Sequence, residues 1–224
     1  MDGSKILTTT NRTKLKTLPK RGDYSTGTIY KILDDAFVCH IGFASEGQTF
    51  VLPVAYGRGG NKIYLHGGKG SRLFKTIKTG VEICITVTVI DGLVLAKSAF
   101  HHSVNYRSVV IFGKTEELQT AGEKINGLKI IMEHLLPGRW DDTRTPSEKE
   151  LNATTVLSVN LDEASSKIRT GPPVEEEQDT MLNVWSGVIP IKMKPGKPIP
   201  APGLNEGINV PVYINDYIKR AETF

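Results

Sequence analysis

The sequence contains few cysteines and no long hydrophobic run. Its two cysteines, Cys39 and Cys84, are too few for a disulfide-rich fold or for a zinc site built from cysteines. No apolar stretch approaches the roughly 18 residues that a membrane helix needs, and the first residues lack the apolar segment of a secretory signal. We therefore expect a cytoplasmic protein without a membrane partner, in which both thiols are reduced and buried.

Neither sign of charge dominates the chain. It has 28 basic and 24 acidic residues, a formal net charge of +4, and 39% hydrophobic residues. These values are typical of an ordinary globular protein and exclude a disordered or fibrous one. The small positive excess is a weak indication of an anionic partner. Because the expected strands carry no series of aromatic residues for stacking on bases, we expect no nucleic-acid partner.

Apolar and polar residues alternate with a period of two through much of the region 36–117. The run 81–89 shows this pattern most fully, and Asp91 and Gly92 after it predict a tight hairpin turn. Helical spacing or capping residues occur in four other segments: 24–33, 71–78, 122–136 and the stretch from Ser147 to Glu150. Six strands with mostly short connections predict an antiparallel meander that closes into a small barrel, and thus an α+β, mainly β, fold class.

Shifts in composition predict three segments. Residues 1–22 form a flexible arm, in which the stretch 12–21 carries only basic charges. Residues 23–194 form the barrel domain with a helical insert. Residues 195–224 form a C-terminal extension that has four prolines between positions 195 and 202 and ends in a short helix.

A glycine-rich turn is the clearest chemical motif. In the run YLHGGKGSR, which begins at Tyr64, a strand ends, the turn follows, and a helix begins at Ser71. Glycines let successive amides converge, and Lys69 and Arg72 add positive charges that suit a phosphate group. The turn predicts a site for a dianionic phosphate monoester, and a solvated turn without a ligand is the alternative.

Most other signatures of catalysis are missing. The sequence has no dinucleotide fingerprint, nucleophile elbow or zinc-protease helix, and its histidines do not have the spacing of zinc ligands, so we predict no metal site. The polar and aromatic run 101–108 precedes an apolar strand, which places it at a ligand-binding rim or in an exposed hairpin loop. Trp185 fits either the core or a platform for a ligand.

Several segments, in this order, resemble the split-barrel flavin-nucleotide-binding family of pyridoxamine-phosphate-oxidase-like proteins, and especially its nitroimidazole-resistance-like branch. The similarity extends from about Arg12 to Ile191. The segments that carry it are CHIGF, YLHGGKGSRLF, AFHHSVNYRSVVIFG, PGRWD, RTGPPVEEEQD and VWSGVIP.

The resemblance implies a six-stranded antiparallel split barrel with flanking helices, which forms a homodimer with one FMN in each of two interfacial clefts. It also implies a role for particular residues in binding the cofactor. The flavin ring is contacted by backbone groups of Val51, Leu52, Pro53 and Val54, and Tyr64 and His66 lie near it. The phosphate is held by Lys69, Gly70, Ser71 and Arg72. Further contacts to the cofactor come from Tyr106, Arg107 and Ser108, and Trp185 is contributed by the other subunit. His66 is the candidate catalytic residue, as a donor of a hydrogen bond or a proton.

The sequence departs from the oxidase pattern at several positions. Leu73 stands where the oxidase proper has a second phosphate-binding basic residue, so phosphate binding depends on Arg72, Lys69 and Lys75. Pro195 stands where the oxidase has a flavin-contacting arginine, and the Arg-Leu-His stretch that grips pyridoxal phosphate is missing. We therefore do not expect oxidation of pyridoxamine phosphate.

The predicted function is that of an FMN-binding oxidoreductase acting on an unidentified small molecule. The alternative is a non-catalytic protein of the same fold that binds or senses a flavin or haem. In that case His66, His101 and His102 are the candidate axial ligands of the haem iron.

Overall fold

Ten β-strands and five α-helices form in residues 4–222, the part of the chain that the computed structural model describes. The helices are α1 (Thr26–Asp34), α2 (Arg72–Ile77), α3 (Ala121–Leu135), α4 (Glu148–Ala153) and α5 (Val212–Glu222). The strands are β1 (Gly22–Asp23), β2 (Val38–Ser45), β3 (Gln48–Gly59), β4 (Lys62–Gly68), β5 (Ile83–Leu95), β6 (Ser103–Gly113), β7 (Glu116–Glu117), β8 (Thr154–Asn160), β9 (Ala164–Arg169) and β10 (Gly187–Pro190).

The strands form one antiparallel sheet that curves around the core without closing. Its order is β1-β9-β6-β5-β2-β3-β4-β8-β7, with β10 paired to β5. The predicted alternation places every second side chain inside, as with Ile83, Ile85 and Val87 of β5, which are buried. The α+β fold class and the split barrel that the resemblance implies are confirmed, whereas the sheet does not close into the barrel that the strand pattern alone predicts. The sheet has four strands more than the six predicted. The strand β9 and the short strands β1 and β7 lie at or next to its edges, and the short strand β10 pairs with β5.

Helix α1 closes one end of the barrel. Ser25 caps it by accepting a hydrogen bond from the Thr28 amide, as the sequence predicts. Ile29, Ile32 and Leu33 lie on one face and are fully buried or nearly so. Their burial fixes the helix against the inner side of the sheet.

One prediction about the strands is wrong, and one strand was missed. Asp91 and Gly92 do not form a hairpin turn, because β5 continues through them and its register against β6 shifts between Ile90 and Gly92. This irregularity accommodates the turn-like pair inside a strand. Strand β9 was not predicted, since its residues Ser165, Ser166 and Lys167 do not show an apolar alternation.

Helix α3 lies directly on the outer side of β3. A Cβ atom at Gly57 would lie 2.5 Å from the Cα atom of Ile131 in α3, so only glycine allows this approach. A Cβ atom at Gly127, in α3, would lie 3.4 Å from the ring of Tyr64. The backbones of α3 and β3 therefore meet directly at Gly57, whereas Gly127 lies against side chains.

The two cysteines occupy different environments. Cys39 is fully buried on β2, and burial raises the pKa of its thiol to about 12. Cys84 on β5 is partly exposed, and desolvation raises the pKa of its thiol as well. The prediction of buried thiols is correct for Cys39 and only partly correct for Cys84.

The segments outside the barrel make specific contacts with it. Leu7 is buried, and the Arg12 guanidinium pairs with Glu163 and with Glu82 on the barrel. The predicted division into arm, domain and extension stays a prediction, and its first three and last two residues lie outside the described part. No helix within residues 4–222 is both long and apolar enough to cross a membrane.

Candidate functional site

The barrel opens between β3 and β4. The ladder between these strands joins Tyr56 to Leu65 at one end and Gly59 to Lys62 at the other. Residues 48–55 of β3 pair with β2 on one side, and among the described residues no strand pairs with their other side. An unpaired edge of eight residues therefore faces the opening.

Alternation along β3 determines which backbone groups point into the opening. The Tyr56 amide donates a hydrogen bond to the Phe37 carbonyl across the β2 side, at 3.2 Å. In an antiparallel pair this direction alternates, so Val51, Pro53 and Ala55 direct their backbone groups toward the opening. Pro53 has no N–H group and is tolerated in a strand where that position meets no partner strand. The opening therefore presents carbonyl acceptors and the amide donors of Val51 and Ala55.

A cavity of about 520 Å³ adjoins this edge where the glycine-rich turn meets α2. Arg72 and Lys75 line it from the helix, and the Arg72 guanidinium lies 5.3 Å from the centre of the Phe50 ring. The remaining lining residues are Ser45, Glu46, Gln48, Gly70 and Thr76. Within residues 4–222, neither cation forms an ion pair with a carboxylate, so the cavity favours an anion.

Fewer backbone amides of the glycine-rich turn are free to bind an anion than its sequence predicts. The Lys69 amide donates to the Ala153 carbonyl at 3.0 Å, and the Ser71 amide donates to the Gly68 carbonyl at 2.9 Å. The Ser71 hydroxyl does not cap α2. Because two of the turn amides already have partners, an anion in this cavity would be held chiefly by the side chains of Arg72 and Lys75. Leu73, which replaces the second basic residue, is buried in the core.

His66 lies at a second cavity, of about 350 Å³. Leu128, Arg144, Pro146, Glu150 and Thr154 complete its lining, and the two cavities share no lining residue. The imidazole is exposed to solvent at this cavity, yet the surrounding atoms desolvate it enough to lower its pKa. A neutral imidazole is therefore favoured at pH 7. Tyr64, two residues earlier on the same face of β4, lies beside α3.

The lowered pKa of His66 predicts a pH dependence of stability. Between the folded-state pKa and the ordinary value of 6.5, the unfolded chain binds more protons than the folded chain. The stability contributed by neutral His66 is therefore complete above pH 6.5 and is lost as the pH falls through the folded-state pKa. Thermal unfolding of cofactor-free protein between pH 7.5 and about 5 should show a smaller decline for His66→Gln than for the unmodified chain. His102→Gln, which changes an exposed histidine on a loop, is the control, and equal slopes for all three proteins would contradict the prediction.

The predicted contacts on β6 lie away from the opening. Strands β5 and β2 separate β6 from β3, so the distance along the sheet is three strand spacings, about 14 Å. The Arg107 guanidinium is held by Asp91, at 2.9 Å, and by Asp35, and these carboxylates raise its pKa. The Ser108 hydroxyl donates to the Lys167 carbonyl at 3.2 Å. A single chain therefore does not bring Tyr106, Arg107 and Ser108 to the same opening as Arg72.

Trp185 is not a core residue. Its side chain lies just before β10 and is 65% exposed. The ring packs against Gly187, where a Cβ atom would come within 2.9 Å of it. A large apolar side chain in this position is available to a ligand or to another chain.

Several residues of the two cavities were missed from the sequence. Phe50 directly precedes the predicted contact segment, and its stacking on Phe43 of β2 depends on a strand register that the sequence alone does not show. Leu128, Arg144 and Glu150 lie more than 60 positions from His66 in sequence, and only the folding of α3 and α4 against β4 and β8 brings them to it. No local pattern identifies such residues.

The open antiparallel barrel, with Arg72 and Lys75 at a cavity beside its mouth, defines a split-barrel protein. Residues 25–168 match the family model described as pyridoxamine 5'-phosphate oxidase. The chain belongs to this family, as the resemblance seen in its sequence implies.

Solved structures extend the similarity over nearly the whole chain. The flavocytochrome Anf3 from Azotobacter vinelandii is 36% identical, with a TM-score of 0.87, over 92% of this chain and 96% of that one. The FAD and haem binding protein from Mycobacterium smegmatis is 28% identical, with a TM-score of 0.84, over 88% and 96%. A protein from Bacteroides thetaiotaomicron described as a 5-nitroimidazole antibiotic resistance protein is 26% identical, with a TM-score of 0.54, over 64% and 83%. No relative with a curated description matches the sequence.

Proposed function

We propose that this protein binds a flavin nucleotide in the opening between β3 and the glycine-rich turn and acts as a flavin-dependent oxidoreductase. The observation that carries this proposal is the unpaired edge of β3 beside a cavity with two unpaired cations. The edge of a flavin ring alternates carbonyl acceptors with a ring N–H donor. It is therefore complementary to the Val51 and Ala55 amides and to the carbonyl of Pro53.

Arg72 and Lys75 have the chemistry to hold the phosphate end of such a nucleotide. Arginine makes paired hydrogen bonds to phosphate oxygens, and Lys75 is one helical turn further along α2. A bound flavin supplies hydride and single-electron transfer, whereas the chain supplies position and controls access. The cavity is open to solvent, which suits a small-molecule substrate.

The size of the nucleotide is a separate question. FMN is what the resemblance to the family implies, and the glycine-rich turn suits one phosphate monoester. The relative from Mycobacterium smegmatis is named for FAD, and the 520 Å³ cavity extends past Arg72 toward the hairpin residues Ser45 and Gln48. This room supports FAD, and we propose FAD over FMN.

Haem binding is a second candidate function. Two similar structures, at 36% and 28% identity, are a flavocytochrome and a FAD and haem binding protein. A haem needs a nitrogen ligand that is not protonated and a cavity beside it. His66, with its lowered pKa and its exposed side chain on β4, is the candidate for that nitrogen ligand.

A homodimer would complete the flavin site. Val38, Val51 and Ile90 are 41%, 63% and 43% exposed on the outer side of adjoining strands, which is typical of an interface. A second copy packed on this face could bring Tyr106 and Trp185 of one chain to the opening of the other. This arrangement accounts for the separation between these residues and Arg72.

The absorption spectrum of the purified protein tests the proposal first. Bound flavin gives two bands in the near ultraviolet and the blue, and haem gives an intense Soret band. Mass spectrometry of the flavin released by heat then distinguishes FAD from FMN, and anaerobic bleaching by NADH or NADPH distinguishes an enzyme from a carrier. Light scattering during gel filtration gives the number of subunits. A protein that neither contains flavin nor binds added FAD or FMN would refute the proposal.

A further inference from the structure

We propose that residues 191–211, which we call the proline-rich loop, lie on a second copy of this chain and help to hold the homodimer together. In this arrangement the lysines of the loop face the acidic segment 175–179 of the partner subunit. The inference rests on the homodimer proposed above and adds to it a contact surface that takes no part in holding the cofactor.

The proline-rich loop carries apolar side chains that its own chain leaves uncovered. Within the described residues 4–222, no residue of the loop is buried, and Met193 and Ile199 are 71% and 91% exposed. Its other exposed large apolar residues are Ile191, Leu204, Ile208 and Val210. Because exposed apolar surface of this extent marks interaction sites, the loop is suited to contact another molecule.

Both ends of the loop are fixed to the barrel of the same chain. At its start, directly after β10, the Ile191 amide donates to the Asp91 carbonyl of β5 at 3.0 Å. At its end, the Tyr213 hydroxyl of α5 accepts a hydrogen bond from the Arg139 guanidinium at 3.0 Å. The Tyr213 side chain also packs on Gly138, where a Cβ atom would lie 3.4 Å from it.

The two anchors are connected through short contacts in the fold. The Arg107 guanidinium bonds the carboxylates of both Asp91 and Asp35. The next residue, Ala36, has its carbonyl 2.8 Å from a ring nitrogen of His134, which lies close to the end of α3 and to Gly138. The loop therefore begins and ends on the same side of the barrel.

The loop is longer than this connection requires. An extended proline-rich chain rises about 3.1 Å per residue, so the segment 191–211 would span about 65 Å. Two tight turns fold it back instead, with bonds from the Leu204 amide to the Ala201 carbonyl and from the Ile208 amide to the Asn205 carbonyl. The loop thus extends over the surface and returns, a shape that suits contact with a neighbouring molecule.

The start of the loop favours a second copy of the chain as that neighbour. Asp91, which anchors it, directly follows Ile90, and Ile90 belongs with Val38 and Val51 to the exposed apolar face proposed above as the interface. In a two-fold dimer both copies contribute the same face. A loop that starts at this face therefore starts at the partner subunit.

Charge complementarity indicates which part of the partner the loop contacts. Between Ile191 and Leu204 the loop has three lysines, at positions 192, 194 and 197, and no acidic residue. The segment 175–179 has four acidic residues. Within residues 4–222, neither Glu177 nor Asp179 forms an ion pair. These carboxylates are available to cations of another chain.

The position of the acidic segment agrees with the proposed dimer. It shortly precedes Trp185, the residue expected to reach the opening of the other chain. That opening ends at Ala55, which pairs with Val38, and Val38 lies on the face where the loop starts. A dimer that brings Trp185 to the partner's opening therefore also brings the acidic segment toward the partner's loop.

Cross-linking of the full-length protein tests the contact without any substitution. Unlabelled and ¹⁵N-labelled protein are mixed until subunits exchange, which native mass spectrometry verifies, and a carbodiimide then joins lysines to adjacent carboxylates. We expect peptides that link Lys194 or Lys197 to Glu177 or Asp179 and that combine one labelled with one unlabelled partner. If such links occur only between peptides of the same label, the loop lies on its own chain and the inference is overturned.

Reversal of charge measures the contribution of the contact to dimer affinity. Lys194→Glu combined with Lys197→Glu should raise the dissociation constant of the dimer, from sedimentation velocity, by about tenfold or more. Adding Glu177→Lys and Asp179→Lys to the same chain should restore it. Lys14→Glu with Lys16→Glu is the matched control, because it makes the same change in net charge on the exposed N-terminal stretch and should leave the constant unchanged.

The results separate the loop contact from the homodimer on which it rests. An unmodified protein that is monomeric at all concentrations would refute both. A dimer whose dissociation constant is the same in the loop variant as in the control would leave the homodimer standing and overturn the role of the loop. The same conclusion follows if the loop variant dissociates but the added lysines at positions 177 and 179 do not restore the dimer, since the partner surface is then a different one.

Discussion

Replacing Arg72 with alanine is expected to weaken flavin binding by about ten- to a hundredfold. Arg72 lines the cavity next to the opening, and within residues 4–222 it has no carboxylate partner that would compete with a phosphate. Two of the turn amides, at Lys69 and Ser71, already donate to backbone carbonyls, so they do not replace the lost guanidinium. Charge-assisted hydrogen bonds are the strongest that a surface cavity offers to a phosphate.

The measurement is a titration of flavin-free protein with FAD and with FMN, followed by the quenching of flavin fluorescence. Lys78→Ala is the matched control, since Lys78 carries the same charge at the other end of α2 and lines neither cavity. We expect its affinity to remain within about twofold of the unmodified protein, because a distant surface charge is screened by salt. Equal losses in Arg72→Ala and Lys78→Ala would mean that the cavity at Arg72 is not the phosphate site.

Replacing Gly57 with alanine is expected to lower the free energy of unfolding by about 2–3 kcal/mol. The added methyl group would lie 2.5 Å from the Cα atom of Ile131 and 2.8 Å from two other backbone atoms of α3. Backbone cannot rotate away as a flexible side chain can, so the helix must move off the sheet. Leu128, which lines the second cavity, lies on the same helix and would move with it.

Urea unfolding, followed by circular dichroism, measures this effect. Gly122→Ala is the control, because it makes the same change in the first turn of α3, where nothing lies within 4 Å of the new Cβ atom. That variant should be as stable as the unmodified protein or more stable by up to about 1 kcal/mol. If Gly57→Ala unfolds at the same urea concentration as Gly122→Ala, the close contact between β3 and α3 does not exist in solution.

Features that depend on neighbouring residues were predicted well from the sequence. The cap of α1 at Ser25 and the capping box of Ser147 and Glu150 form as predicted, because each depends on residues three positions apart. The glycine-rich turn between β4 and α2 also forms where its sequence places it. The alternation in β5 correctly identifies its buried face.

Features that depend on distant residues were not predicted from the pattern. Asp91 and Gly92 have the signature of a hairpin, but pairing of β5 with β6 and β10 on its two sides keeps the strand continuous. The open edge of β3 arises because the ladder with β4 stops at Tyr56, and no local feature marks that point. The assignment of Val51 to Val54 to the cofactor came from the resemblance to a family, and it coincides with this edge.

The open edge of β3 has a consequence for the protein before it acquires a cofactor. A row of unsatisfied amides and carbonyls is a template for the strand of another molecule, and such edges nucleate aggregation. Pro53 interrupts the row of donors, which blunts the template without removing it. Chains that await their flavin are therefore the aggregation-prone population, and supply of the vitamin precursor riboflavin during expression should increase the yield of soluble protein.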